Sequence, residues 1–205
     1  MIRVCFAGIT GWTAPPILKA IDAADDLRLI SGVSRSSAGC RVADATRSRS
    51  EGLIYASVAE ALDAAQADVL VDYTSASAVR ENVWTAVEAG VHVVVGSSGL
   101  TADDYTALDQ LARKSGVGLV AAGNFSVMAA ILQRAAALAA AHLDQWEILD
   151  YASAGKPDVP SGTARELADT LAQVRSPEVA VPVSEVVGPR EARGTRSSHL
   201  VARAR

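Results

Sequence analysis

The sequence predicts an α/β protein whose first part is a parallel sheet covered by helices on both faces. Three observations predict it. Short, almost continuously apolar runs alternate with amphipathic stretches of helical spacing as far as about residue 126, the rhythm of strands buried on both sides. Small and hydroxylated residues gather after each apolar run: Gly8 to Ala14, Ser34-Arg35, Thr74-Ser75, Gly96 to Gly99 and Asn124. Ligands bind at that edge in open α/β sheets. The first run also leads straight into a glycine-bearing turn and a proline-started helix.

Residues 2–7 read as the first buried strand. Gly8-Ile9-Thr10-Gly11-Trp12-Thr13-Ala14 follows with the spacing G-x-x-G-x-x-A. The glycines allow a tight turn and close backbone approach, and Ala14 is small enough for a helix to pack on the strand. Pro15 and Pro16 suit a first helical turn, where a missing N–H costs little. Strand, glycine loop and helix N-terminus are the parts of a pyrophosphate cradle, with Gly8, Thr10, Gly11, Trp12 and Thr13 as its candidate residues. The spacing departs from G-x-G-x-x-G, and an ordinary strand–helix turn contains the same parts. This first domain, residues 1–126, is therefore expected to be a dinucleotide-binding domain of Rossmann type.

The next strand, Leu27 to Val33, ends in Ser34-Arg35-Ser36 without an acid, and Asp25 and Asp26 lie at its other end. An acid there would bind a ribose 2′-hydroxyl. A guanidinium beside two hydroxyls suits a 2′-phosphate, so Ser34 and Arg35 point to NADPH, with NADH as the alternative. Residues 36–52 read as a loop with room for a short helical turn. In it Arg41, Arg47 and Arg49 read as solvated surface charges, with help in binding phosphate as the alternative. Ser57 and Glu60 have capping-box spacing for a helix through Leu62.

A strand from Ala67 ends at Thr74, and a helix is expected from about Ala76 to Ala89. Val91 to Val95 form the next strand, ending in Gly96-Ser97-Ser98-Gly99, and Thr101 with Asp104 caps the helix after it. His92 in this apolar strand reads as a satisfied core histidine. Val117 to Ala121 form a further strand, ending in Asn124-Phe125-Ser126, and an alanine-rich helix from Val127 to His142 bridges to a second domain, residues 127–205.

In that domain Trp146 to Tyr151 read as a strand leading to Lys156-Pro157-Asp158-Val159-Pro160-Ser161-Gly162-Thr163-Ala164-Arg165-Glu166. The prolines hold the approach extended. Thr163 and Glu166 have capping-box spacing, and Leu167, Leu171 and Val174 form the helix's apolar face. The open N–H groups of its first turn, with Lys156 upstream, make a seat for a carboxylate or phosphate. From Ser176 the sequence is strand-like and basic, and its arginines fit an exposed or subunit-facing surface.

The totals exclude other classes. No apolar run among the 205 residues approaches the roughly 20 needed to span a bilayer. The first residues do not read as a signal peptide. Two cysteines, Cys5 and Cys40, give neither a disulfide framework nor a zinc site, and no metal is expected from three scattered histidines. A net charge of −4 and four per cent aromatics argue against nucleic-acid binding. A cytoplasmic protein without membrane or nucleic-acid partners is the expectation.

The blocks Gly8-x-x-Gly11-x-x-Ala14, Asp72-Tyr73-Thr74, Gly96-Ser97-Ser98-Gly99, Asn124-Phe125-Ser126-Val127 and Lys156 to Ala164 together resemble the 4-hydroxy-tetrahydrodipicolinate reductase (dihydrodipicolinate reductase) family. They run in the family's order from residue 1 to about 170. The resemblance implies an NAD(P)H-dependent oxidoreductase of diaminopimelate and lysine biosynthesis. It reduces a cyclic imine dicarboxylate and carries a mixed α+β domain for substrate binding and assembly into a homotetramer. It also implies roles: Thr74 and Gly96, Ser97, Ser98 and Gly99 along the nicotinamide and ribose, and Asn124, Phe125 and Val127 near the carboxamide. Ser161, Gly162 and Thr163 hold a substrate carboxylate, and Lys156 contributes to proton donation.

Two departures qualify these roles. Ala152 and Ser153 stand where the family has a histidine pair, and an alanine cannot give a proton. The sequence also ends at Arg205, earlier than family members do, so the second domain is expected to be C-terminally shortened. A reductase of another cyclic imine, or a catalytically silent nucleotide-binding paralogue, remains the alternative.

Overall fold

The computed structural model describes residues 1–151, 160–175 and 199–202. The chain divides into two compact units, Met1–Ala122 and Gly123–Arg205.

The first unit contains β1 (Ile2–Ala7), α1 (Ala14–Ala23), β2 (Leu27–Val33), α2 (Val42–Ala45), β3 (Leu53–Tyr55), α3 (Val58–Ala64), β4 (Val69–Asp72), α4 (Val79–Glu88), β5 (His92–Val95), α5 (Ala102–Ser115) and β6 (Leu119–Ala121). Its six strands are all parallel, in the order β3-β2-β1-β4-β5-β6. This is the doubly wound Rossmann order, in which the chain changes direction across the sheet between β1 and β4. The last residues of the strands lie in register from one edge to the other: Tyr55, Val33, Ala7, Asp72, Val95 and Ala121. Every post-strand loop therefore starts at one level.

Alternation along β1 explains why both faces need cover. Val4 and Phe6 pack with Ala14, Leu18 and Ile21 of α1, whereas Cys5 and Ala7 pack with Val58, Val83 and Val87 of α3 and α4. Burial pushes the Cys5 thiol up to about 11, which removes it from thiolate chemistry at neutral pH. Its register neighbour Ser31 is fully buried beside it.

The helix ends follow local chemistry. Thr101 and Asp104 form a complete capping box on α5, and Gly116 ends it with φ of 68°. Ser57 accepts from the Glu60 amide at the start of α3. The structure corrects the sequence reading in three places. β3 is an additional strand, paired in parallel with β2. α4 starts at Val79, because Ser75 to Ala78 form a turn first. His92 is exposed, with its Nδ1 accepting from the Gly118 amide at 2.7 Å.

At the opposite end of the strands Arg3 clasps Asp68, with Nη2–Oδ1 at 2.7 Å, Nε–Oδ2 at 3.1 Å and the Arg3 amide on Oδ2 at 2.7 Å. These bonds hold the Asp68 carboxyl down at about 2, below its ordinary 3.8. A carboxyl lowered on folding stabilises fully above its unfolded value and loses that contribution as pH falls through the folded one. The stability difference between the wild type and Asp68→Asn is therefore expected to be full at about pH 5, mostly lost by about pH 2 and gone near pH 1. Urea midpoints across that range measure it, and a pH-independent difference contradicts the clasp.

The second unit contains α6 (Val127–Ala140), β7 (Ile148–Tyr151), α7 (Gly162–Val174) and β8 (His199–Ala202). β7 and β8 pair antiparallel. Ala140, Ile148, Ala164 and Leu171 form its core, with Trp146 and Leu167 against them. No helix among the described residues is long and apolar enough to cross a membrane.

Candidate functional site

The candidate residues of the first unit gather at the carboxyl edge of its six-stranded sheet. Gly8 leaves β1 with φ of 85°, and a Cβ there would meet the Tyr73 carbonyl oxygen at 2.3 Å. Only glycine allows the turn and that approach together. The Gly8 and Ile9 amides bond to Val33, and the Gly11 and Ala14 amides bond within the turn. Among the described residues the amides of Thr10, Trp12 and Thr13 have no hydrogen-bond partner.

α1 begins at this point without a side-chain cap and without an acid in its first turn. α3, α5, α6 and α7 are each capped by a serine or threonine. An uncapped N-terminus with open amides carries the positive end of a helix dipole toward the loop. That donor set fits a pyrophosphate. Trp12 is almost fully exposed beside it.

Beyond β2, the Ser34 hydroxyl lies 2.8 Å from the Thr10 hydroxyl and 3.2 Å from that of Ser36. The structure thus brings two predicted residues from separate loops into one hydroxyl chain, with exposed Arg35 between its serines. Two of the loop arginines are engaged elsewhere. Arg41 pairs with Glu51 at 3.2 Å, and Arg49 donates to the Asp22 carbonyl at 2.6 Å.

Asp72 at the end of β4 organises the middle of the edge. Its side chain is fully buried. Oδ1 accepts from the Thr74 amide at 3.1 Å, the Thr74 hydroxyl at 2.8 Å and the Ser97 hydroxyl at 2.5 Å, and Oδ2 accepts from Asn82 Nδ2 at 2.8 Å. The carboxylate therefore fastens the loop after β4 to the loop after β5. Tyr73 adds a second fastening. Its ring stacks on Phe6 with centroids 6.2 Å apart, and a Cβ on Gly96 would fall 2.2 Å from it. Gly99, with φ of 122°, lies against the Ala76 backbone. Sequence reasoning named Thr74 and Gly96 to Gly99 as candidates, quoted Asp72 only within the Asp72-Tyr73-Thr74 block without a role, and did not single out Asn82. The available signal was a carboxylate closing an otherwise apolar strand.

In the second unit α7 is capped by Ser161, whose hydroxyl accepts from the Ala164 amide at 3.2 Å. The Thr163–Glu166 capping box expected from the sequence is not formed. Glu166 accepts instead from the Gly123 amide at 3.2 Å, and the Thr163 hydroxyl donates to the Gly123 carbonyl at 3.2 Å. Asn124 Nδ2 reaches the Thr163 hydroxyl at 3.4 Å, and Asn124 Oδ1 accepts from the Ser126 amide at 2.8 Å. Asp150 of β7 takes the Ser161 amide at 2.7 Å. The amides of Gly162 and Thr163 have no partner among the described residues. Phe125 and Val127 are exposed beside Asn124. Lys156, Ala152 and Ser153 lie outside the described residues. No group of three His, Cys, Asp or Glu among the described residues is placed to hold a metal.

Comparison with known proteins gives the family. The family described as dihydrodipicolinate reductase, N-terminus, matches residues 2–125. The chain is 30% identical over 174 residues to the 4-hydroxy-tetrahydrodipicolinate reductase of Bacillus pumilus (strain SAFR-032), covering 85% of this chain and 65% of that protein. It is 36% identical over 178 residues to that of Thermosynechococcus vestitus (strain NIES-2133 / IAM M-273 / BP-1), covering 84% and 64%. Among solved structures it is similar to dipicolinate-bound dihydrodipicolinate reductase from Paenisporosarcina sp. TG-14, with a TM-score of 0.70, 25% identity, and 95% of this chain and 74% of that one covered. The chain thus spans about 65% of the length of the first two relatives. With more than half of its residues matched by that model, the chain belongs to the dihydrodipicolinate reductase family.

Proposed function

We propose that this chain carries out, or carries the cofactor half of, the NAD(P)H-dependent reduction of 4-hydroxy-tetrahydrodipicolinate or dihydrodipicolinate to tetrahydrodipicolinate. The observation that carries the reading is the uncapped N-terminus of α1, with the open amides of Thr10, Trp12 and Thr13 around the Gly8 turn. Gly8 and Gly11 shape this cradle for the pyrophosphate. Ser34 and Arg35 would hold the adenosine ribose, and the missing acid at the end of β2 supports NADPH over NADH. Thr74 and Gly96 to Gly99 would line the nicotinamide riboside, with Asn124, Phe125 and Val127 at the carboxamide. When bound, the reduced nicotinamide supplies the hydride.

This chain's own residues do the rest. Gly162 and Thr163 offer their amides to a substrate carboxylate at the start of α7, and the Ser161 cap holds that turn open. Lys156 would offset the dianion's charge and protonate the ring nitrogen or the departing water. Gly123 and Asn124 follow β6 directly in the chain and bond to Thr163 and Glu166. These bonds hold the start of α7 to the segment after β6 within the second unit. A cytoplasmic homo-oligomer, a tetramer as in the family, completes the reading. Val127, Met128, Ile131 and Leu132, all exposed on α6, support assembly.

Ala152, in place of the family's proton-donating histidine, favours a second reading in which another cyclic imine is the substrate. A coupled assay separates them. Freshly generated lysine-pathway intermediate and simple cyclic imines are offered in turn, and NADPH and NADH oxidation are followed separately. The proposal expects faster NADPH oxidation with the dicarboxylate. Oxidation only with a simple imine transfers the assignment to the second reading, and none with any substrate leaves a binding protein.

A further inference from the structure

We propose that Asp72 sets the hydrogen-bonding polarity of the nicotinamide side of the site, so that Thr74 and Ser97 accept from a donor group and turn away phosphate. The inference rests on the cofactor reading above. A hydroxyl has one proton and two lone pairs. Thr74 and Ser97 both spend that proton on Asp72 Oδ1, at 2.8 and 2.5 Å. Charge-assisted bonds to a carboxylate are the stronger kind, and a neutral ligand acceptor does not compete for those protons. Only lone pairs remain for anything that approaches.

Asn82 fixes the other carboxylate oxygen at 2.8 Å and leans on the Thr74 hydroxyl at 3.4 Å. Ser97 is therefore the more open acceptor of the two. Both residues are partly exposed, whereas Asp72 is sealed off. The buried carboxylate thus acts only through the hydroxyls that it orients.

The opposite polarity prevails at the glycine turn, where the open groups are the Thr10, Trp12 and Thr13 amides, all donors. One stretch of the sheet edge offers donors and the next offers acceptors. A dinucleotide has the complementary sequence, with phosphates that only accept followed by a riboside bearing sugar hydroxyls and a primary amide that donate. Asp72 is a positioning residue in this scheme, and binding in the reversed direction would set acceptor against acceptor at Ser97.

The test is a cycle of protein variants against ligand analogues, read as dissociation constants by fluorescence titration. The ligands are NADPH, its acetylpyridine analogue (a methyl replaces the amide nitrogen), and analogues lacking either hydroxyl of the nicotinamide ribose. In the wild type one analogue is expected to bind roughly three- to tenfold more weakly than NADPH, the worth of one hydrogen bond. That penalty is expected to disappear in Ser97→Ala or Thr74→Val. The analogue concerned identifies the donor as amide or sugar.

Asp72→Asn keeps an oxygen acceptor and should retain the penalty. Asp72→Ala frees both hydroxyl protons, so the hydroxyls are no longer held as acceptors and the penalty should shrink. If Asp72→Ala does not fold, the Ser97 and Thr74 variants decide. Penalties unchanged in both hydroxyl variants overturn the polarity proposal while leaving cofactor binding intact. A wild type that binds no nicotinamide dinucleotide overturns the cofactor reading itself, and the proposal with it.

Discussion

Gly8→Ala is expected to destabilise the protein by about 2–5 kcal/mol and to abolish dinucleotide binding. Two costs add. A left-handed backbone costs an L-residue about 1–2 kcal/mol, and Gly8 has φ of 85°. The new Cβ would also lie 2.3 Å from the Tyr73 oxygen and 2.8 Å from its carbonyl carbon, both backbone atoms in register-fixed β4–loop geometry. Overlap that cannot relax costs about 1–3 kcal/mol more. Gly39→Ala separates the two terms, because Gly39 has φ of 87° with nothing within 4 Å of its Cβ position. It should show the backbone cost alone. Urea unfolding of the two variants measures the difference, and equal midpoints would contradict the close approach of Gly8 to Tyr73.

Phe6→Ala is expected to cost about 3–5 kcal/mol, the range for a large aromatic removed from a packed core. Phe6 has no exposed surface and packs between β1 and α1 with Val4, Leu18 and Ile21. Its second effect reaches the site. The Tyr73 ring lies parallel to Phe6, within 2°, and fills the space beside Gly96. A cavity under Tyr73 lets that ring drop and loosens the Gly96–Gly99 loop. Gly96→Ala forces the same ring aside, so the two changes should be less than additive in a double-mutant cycle. Full additivity in denaturant midpoints would mean that Phe6 does not support the loop.

Much of this was visible in the residues alone. The strands could be read because parallel strands buried on both faces are continuous apolar runs, and Gly8 and Gly99 mark turns at positive φ. The Thr101–Asp104 cap could be read because it needs nothing beyond its own first turn. What was missed depended on distant partners. β3 is three residues long and is placed by Gly52, whose Cβ would collide with the Ile30 carbonyl at 2.2 Å. The cap of α7 falls on Ser161 because Asp150 takes its amide, eleven residues away, and Glu166 is drawn off by Gly123. Asp72 stood in plain view in Val-Leu-Val-Asp, but its carboxylate is satisfied by Asn82 and Ser97, ten and twenty-five residues further on. Local periodicity carries no record of such pairs.

The most direct measurement is a titration of isotope-labelled protein with NADPH, following every backbone amide by NMR. Shifts should concentrate at Gly8 to Thr13, Ser34-Arg35, Thr74 and Gly96 to Gly99, while Asp26, Asp68 and Gly118 at the other end of the strands stay still. Saturating NADPH that moves none of the first group, or moves only the second, would contradict a dinucleotide site at the carboxyl edge of this sheet.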